Sequence, residues 1–154
     1  MRSGAMFAET IGLGMLMSFF MSETIGLAAG GIVVPGYIAL SLNSPFRVAA
    51  TIGVALAVYL VLRILANWML LYGRRLLVLG ILLGYLIGSV TKLAPPLHLG
   101  RAQIDLATIG YVIPGLIAYW MERQGVIQTI ATMLVAGVLT RLVVTVISGG
   151  EMQL

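Results

Sequence analysis

Two arginines stand inside otherwise apolar stretches of the chain, Arg63 within Val48–Tyr72 and Arg141 within Val126–Ile147. An arginine near the middle of a membrane helix costs about 2.5–3.5 kcal/mol on insertion scales, so such a residue usually faces a bundle interior and serves something there. A guanidinium fork binds carboxylates through paired hydrogen bonds, which makes an anionic ligand the natural partner for two arginines at matched depth. The structural alternative is snorkelling to an interface, or pairing with Glu23 or Asp105.

A second constellation is made of backbone rather than charge. Gly31-Ile-Val-Val-Pro35-Gly36-Tyr-Ile-Ala39 lines up with Gly110-Tyr-Val-Ile-Pro114-Gly115-Leu-Ile-Ala118, 79 residues further on. Proline removes a backbone donor and clashes with the preceding turn, and glycine relaxes the chain, so a helix is expected to break at each pair. Lipid cannot satisfy exposed N–H and C=O groups, so breaks at membrane depth must face protein or a wet cavity. Short Pro/Gly-interrupted segments at corresponding positions of two halves point to a site lined by irregular backbone. Arg63, Arg141, Pro35, Gly36, Pro114 and Gly115 are therefore the candidate path-lining residues. Glu23, Arg74, Arg75, Glu122 and Arg123, at the ends of apolar segments, are candidates for a partner interface.

Other chemistry is not encoded. There is no phosphate-cradling G-x-x-x-x-G-K-[ST] loop, no H-E-x-x-H and no nucleophile elbow, so no catalytic residue is assigned and any nucleotide chemistry belongs to another chain. With no cysteine and the single His98 in a polar linker, no metal site is expected. Nine basic and five acidic residues give +4 without a basic stripe, which argues against nucleic-acid binding.

The elements that must position these residues are membrane elements. Of 154 residues 60% are hydrophobic and only 9% charged, against about 25% charged in soluble domains; the mean hydropathy is +1.09. An ordinary water-soluble enzyme is excluded, because too little polar surface exists to cover a core. Six apolar runs follow one another: Ile11–Ser22, Ile25–Leu42, Val48–Tyr72, Leu76–Val90, Leu106–Met121 and Val126–Ile147. Crossing the hydrocarbon takes about 20 helical residues. The third and sixth runs meet that length, the first does if it begins near Met6 and tolerates Glu9, and the second and fifth carry the Pro-Gly pairs. Arg2 and the apolar stretch up to Ala28-Ala29 resemble a signal peptide superficially, but the Val-Val-Pro-Gly that follows is itself apolar, and this start is read as a membrane helix. Gly80, Gly84 and Gly88 share one helix face, which lets a neighbouring helix approach closely.

The expected class is an all-α, multi-pass integral membrane protein of two homologous halves, 1–73 and 74–154. Each half has a helix, a Pro-Gly-broken segment and a long arginine-bearing helix. If the broken segments cross the bilayer, the halves are inverted; if they re-enter, the halves run parallel. The tight Gly73-Arg74-Arg75 connection is expected on the cytoplasmic side.

Glu23-x-x-Gly26, Gly30-Gly31-Ile-Val-Val-Pro35-Gly36-Tyr37, Leu71-Tyr72-Gly73-Arg74-Arg75, Ile109-Gly110-Tyr-Val-Ile-Pro114-Gly115-Leu-Ile-Ala118 and Gln124-Gly125, in this order and spacing, resemble the PgsC/CapC membrane subunit of bacterial poly-γ-glutamate synthase. The resemblance runs from about Phe7 to Ile147. It implies a bacterial cytoplasmic-membrane protein working beside an ATP-dependent amide ligase subunit and an anchored extracellular-facing subunit. Together these build a polymer of glutamate linked through its side-chain carboxylate and place it outside the cell. ATP and Mg are expected on the ligase, and no cofactor on this chain. The resemblance carries no catalytic residues onto these positions. A route for a polyanion through hydrocarbon needs positive charge and satisfied polar groups, and a chain this small would share it among several copies or with a partner. The competing readings are a free-standing two-repeat transporter or channel, and a scaffold that only recruits the ligase.

Overall fold

The computed structural model describes residues 2–93, 97–99, 102–104 and 112–149. Among these described residues six helices follow in chain order: α1 (Arg2–Ile25), α2 (Val34–Ser41), α3 (Pro45–Trp68), α4 (Arg74–Leu93), α5 (Ile113–Gln124) and α6 (Val126–Ile147). Between α4 and α5 lie β1 (Leu97–Leu99) and β2 (Ala102–Ile104), an antiparallel pair in which Leu97 faces Ile104 and Leu99 faces Ala102. This hairpin is the one departure from an all-helical class among the described residues. Asp105, Gly110 and the start of the fifth apolar run fall outside them.

Where nothing inside an apolar run competes for the backbone the described residues form helix, and the ends are set by proline, glycine and extended residues. α3 opens on Pro45, whose missing N–H costs nothing in a first turn. It stops at Met69, which is extended, so the apolar run to Tyr72 outlasts the helix. Gly73 and Gly125 take φ of +63° and +104°, values that favour glycine, and α4 and α6 start directly after them. α1 begins earlier than its apolar run and carries Glu9 on an exposed face.

The helices α3 and α6, 24 and 22 residues long, are long and apolar enough to cross a membrane. At 1.5 Å per residue they reach about 36 and 33 Å. Leu60 and Ile64 on α3 and Ile127, Leu142 and Val146 on α6 remain exposed. A helix that is apolar all round belongs in the core of a large protein or in a membrane.

Packing divides the chain into two compact units. The first comprises Met1–Asn43 with Gln124–Leu154, the second Ser44–Arg123. The first therefore holds α1, α2 and α6, and the second holds α3, α4, the hairpin and nearly all of α5. This is a division of packing, and it cuts across the chain halves 1–73 and 74–154: each unit takes its long helix from the other half. In the first unit α2 is buried against α1 and α6, with Val34, Ile38 and Ala39 almost fully enclosed. In the second, Val54, Val58 and Leu62 of α3 form a core with Leu71, Leu76, Ala118 and Tyr119.

The Pro-Gly pairs start helices rather than break them. Pro35 lies in the first turn of α2, and Pro114 is the second residue of α5. The stretch 26–33 before α2 is irregular, held out of helix by Gly30 and Gly31 at φ of +75° and +131°. Both pairs are buried at backbone-to-backbone crossings. A Cβ on Gly36 would stand 2.8 Å from the Cα of Ile11 on α1, and one on Gly115 2.7 Å from the Cα of Ile81 on α4. The Gly80 side of the second crossing is the close approach expected of that glycine face.

Candidate functional site

The described charges gather most closely at one end of the second unit, where the α3–α4 turn meets the end of α5. Leu71 and Leu76 anchor the turn in the core, leaving Tyr72, Arg74 and Arg75 exposed. On α5, Tyr119 and Arg123 are one helical turn apart, so the arginine folds back over the tyrosine. Its guanidinium Nη1 donates to the Tyr119 hydroxyl at 3.0 Å, and its central carbon lies 5.8 Å from the Tyr119 ring and 5.9 Å from that of Trp120. The two rings meet edge to face at 5.5 Å. Such stacking is worth about 0.5–1 kcal/mol at an exposed site and holds a cation in one place without neutralising it. Guanidinium has five N–H donors, and the contacts to described residues engage one of them.

Leu71, Tyr72, Gly73, Leu76, Tyr119, Glu122 and Arg123 enclose a cavity of about 300 Å³. Beside it, sharing Leu71, is an open apolar depression of about 340 Å³ flanked by Arg74 and Arg75. Four of the five residues expected at a partner interface thus occupy one end of this unit. The fifth, Glu23, is exposed in the last turn of α1, in the other unit.

Arg63 repeats the device of Arg123. Its Nη1 donates to the Tyr59 hydroxyl at 2.5 Å, and the guanidinium lies 5.9 Å from that ring. Arg63 is exposed, five residues before the end of α3. Arg141 is half-buried, six residues before the end of α6, and its Nη2 donates to the side-chain oxygen of Asn43. The described partners of these arginines are thus neutral, where the sequence suggested Glu23 or Asp105. No three acidic or histidine side chains among the described residues lie close enough to hold a metal ion.

Gln124 stands out in the sequence only within the Gln124-Gly125 motif of the resemblance, which gives it no role. Its side-chain amide grips the Ala28 peptide: the Ala28 N–H donates to Oε1 at 3.0 Å, and Nε2 donates to the Ala28 carbonyl at 2.5 Å. Thr132 donates to the same carbonyl at 3.2 Å, and Ser18 to that of Gly31 at 3.1 Å. Side chains of α1, α5 and α6 thus satisfy parts of the irregular stretch that no helix ladder does. Besides that motif, the signal in sequence was an amide residue directly before Gly125, between two apolar helices.

Residues 13–130 match the capsule biosynthesis CapC family. The PGA biosynthesis protein CapC of Bacillus subtilis (strain 168) is 33% identical over 131 residues, covering 81% of this chain and 85% of the relative. The capsule biosynthesis protein CapC of Bacillus anthracis is 33% identical over 125 residues, covering 78% and 80%. The chain belongs to the CapC family. No solved structure matches it. The family match takes in both Pro-Gly pairs, Arg63, the Arg74-Arg75 turn, the Glu122–Arg123 cavity and the Gln124 clamp, and ends before Arg141. The CapC match therefore spans all of the second unit from Ser44 to Arg123, with the cavity inside it.

Proposed function

We propose that this chain is the membrane subunit of a poly-γ-glutamate capsule-synthesis assembly in the bacterial cytoplasmic membrane. It crosses the bilayer several times, supports an ATP-dependent amide ligase at its basic end, and contributes with an anchored extracellular-facing subunit to passage of the polymer. The observation that carries this reading is the joining of Arg74, Arg75, Glu122 and Arg123 around one turn and its cavity, in a chain related to capsule and PGA biosynthesis proteins. Two arginines in a tight turn favour the cytoplasmic side, where ATP is available to a ligase. At 24 and 20 residues, α1 and α4 are also long enough to cross about 30 Å of hydrocarbon.

The two-repeat reading fits a pair of corresponding crossings: Leu13-Gly14-Met15 of α1 carries the glycine that meets Gly36, and Leu79-Gly80-Ile81 of α4 the glycine that meets Gly115. We read the units as two repeats that have exchanged their long helices.

The interior of the described chain favours a shared route over one through a single copy. Its buried hydroxyls are turned inward on backbone: Thr51 donates to the Arg47 carbonyl, Thr140 to that of Ala136 and Thr132 to those of Gln128 and Ala28. Arg63, by contrast, faces outward. A polyanion would therefore run along the outside of α3, between copies or against a partner, with Arg63 as its cationic contact there; Arg141, on α6 of the other unit, is a separate candidate contact.

The test is deletion and complementation in a bacterium that makes the polymer through this chain, together with purification of the tagged chain in mild detergent. Expected are loss of extracellular polymer on deletion, recovery with the wild-type chain, and a ligase that co-purifies with wild type and is lost with Arg74→Ala/Arg75→Ala. Unchanged polymer on deletion would overturn the reading.

A further inference from the structure

The cavity at the α3–α4 turn carries two opposite charges on adjacent residues, Glu122 and Arg123, in a pocket otherwise made of Leu71, Tyr72, Gly73, Leu76 and Tyr119. If the pocket took a simple carboxylate, Glu122 would repel it. If it took a simple cation, Arg123 would do so, and among the described residues no acid pairs with Arg123 to cancel it. Both charges are accommodated by a ligand that is itself both ammonium and carboxylate. The guanidinium is already fixed against Tyr119 and Trp120, with donors left for a carboxylate, and the N-terminal end of α4, directly after Gly73, adds partial positive charge on the same wall. The volume of about 300 Å³ is enough for one amino-acid residue with part of the next.

We propose that this cavity receives an α-amino-acid group, with its carboxylate on Arg123 and its ammonium on Glu122. The inference rests on the function proposed above. In a glutamate polymer linked through side-chain carboxylates, every residue keeps its α-carboxylate, but each α-nitrogen is used in an amide except at one end. The terminal residue alone carries both free groups on one carbon, as free glutamate does. The cavity is therefore a seat for the amino end of the chain or for the monomer, selected by its pair of charges against the many internal carboxylates.

The experiment uses the full chain purified in detergent and titration calorimetry with a γ-linked glutamate tetramer, the same tetramer N-acetylated, free glutamate, and phosphoethanolamine. The unmodified tetramer is expected to bind, and acetylation, Glu122→Gln or Arg123→Gln each to weaken it at least about tenfold. Acetylation and Glu122→Gln remove the same contact, so their effects should not add: the acetylated tetramer, which Glu122 repels, should bind Glu122→Gln at least as well as wild type. Arg123→Lys should fall between wild type and Arg123→Gln. Free glutamate binding as tightly as the tetramer assigns the seat to the monomer, and weaker binding assigns it to the chain end. Equal binding of acetylated and unmodified tetramer, additive effects of acetylation and Glu122→Gln, or tighter binding of phosphoethanolamine would each overturn the proposal. So would absence of binding by wild-type chain that elutes as one folded species. These results leave the broader function standing if polymer still depends on the chain, whereas unchanged polymer on deletion removes that function itself.

Discussion

Gln124 holds a peptide 96 positions away in the sequence through both ends of its amide. Substituting Ala leaves the Ala28 N–H without its acceptor and its carbonyl with Thr132 alone, and orphaning a half-buried backbone group costs about 1 kcal/mol, the lower end of the range for a buried one. Gln124→Glu keeps an acceptor for the N–H but sets a carboxylate oxygen against the Ala28 carbonyl, so it should destabilise at least as much as Gln124→Ala. Thermal unfolding of the purified chain measures both; a Glu variant as stable as wild type would contradict the clamp. Arg63 and Arg141 differ from Gln124 in being reachable from outside the core, with neutral partners that leave their charge intact. Gln at either position should lower extracellular polymer per membrane-resident chain with little change in abundance, and Lys should fall between, because it keeps charge without the fork. Equal output from Gln and wild-type chains would remove the two arginines from the path. The arginines were legible as rare charges in apolar runs, and Tyr59 and Tyr119 could have been found with them from their four-residue spacing. The Gln124 contact could not, since nothing local marks a partner 96 residues distant, and the same holds for Asn43 beside Arg141.

Among elements, the crossings of α1 with α2 and of α4 with α5 depend on the absence of a Cβ. Gly36→Ala and Gly115→Ala would each press on a neighbouring backbone, which cannot rotate aside as a side chain can, and each should destabilise by about 1–3 kcal/mol. Gly53, within α3 and with nothing near its missing Cβ, is the control: Gly53→Ala should stabilise by about 0.5–1 kcal/mol through backbone entropy. The three variants are to be compared by thermal unfolding in one detergent, and a Gly36→Ala chain as stable as Gly53→Ala would show that the crossing yields. Pro35→Ala should change stability little, because a first-turn proline gives up no helical hydrogen bond, and Gly30, Gly31 and the Gln124 clamp still hold the preceding stretch out of helix. Hydropathy found the six helices, since long apolar runs offer the backbone no alternative partners. It missed where α3 stops, because Leu70 and Tyr72 are as apolar extended as they are helical. It also passed over the hairpin, whose Leu-His-Leu and Ala-Gln-Ile triplets are too short for a period of two to stand out.

At the scale of the whole molecule, sequence correspondence and packing divide the chain differently, and the difference has a physical consequence. Matching Pro-Gly segments mark the halves 1–73 and 74–154, but α6 is needed to cover α2 in the first unit, and α3 to cover the α4 and α5 core residues in the second. Repeat detection reads order along the chain, which is silent about which long helix packs on which short one. A fragment of residues 1–73 would present the buried face of α2, with Val34, Ile38 and Ala39, to lipid and leave Ala28 without Gln124 and Thr132. A fragment of 74–154 would expose Leu76, Ala118 and Tyr119 in place of their contacts with Val54, Val58 and Leu62. Neither should persist in membranes alone. Produced together, each supplies the helix the other lacks, so both should accumulate and purify as a pair in one-to-one ratio. The measurement is membrane abundance of separately tagged fragments, expressed singly and together, followed by capture through one tag. Stable accumulation of a single half would mean that each chain half is a folding unit by itself, and that neither needs the other's long helix.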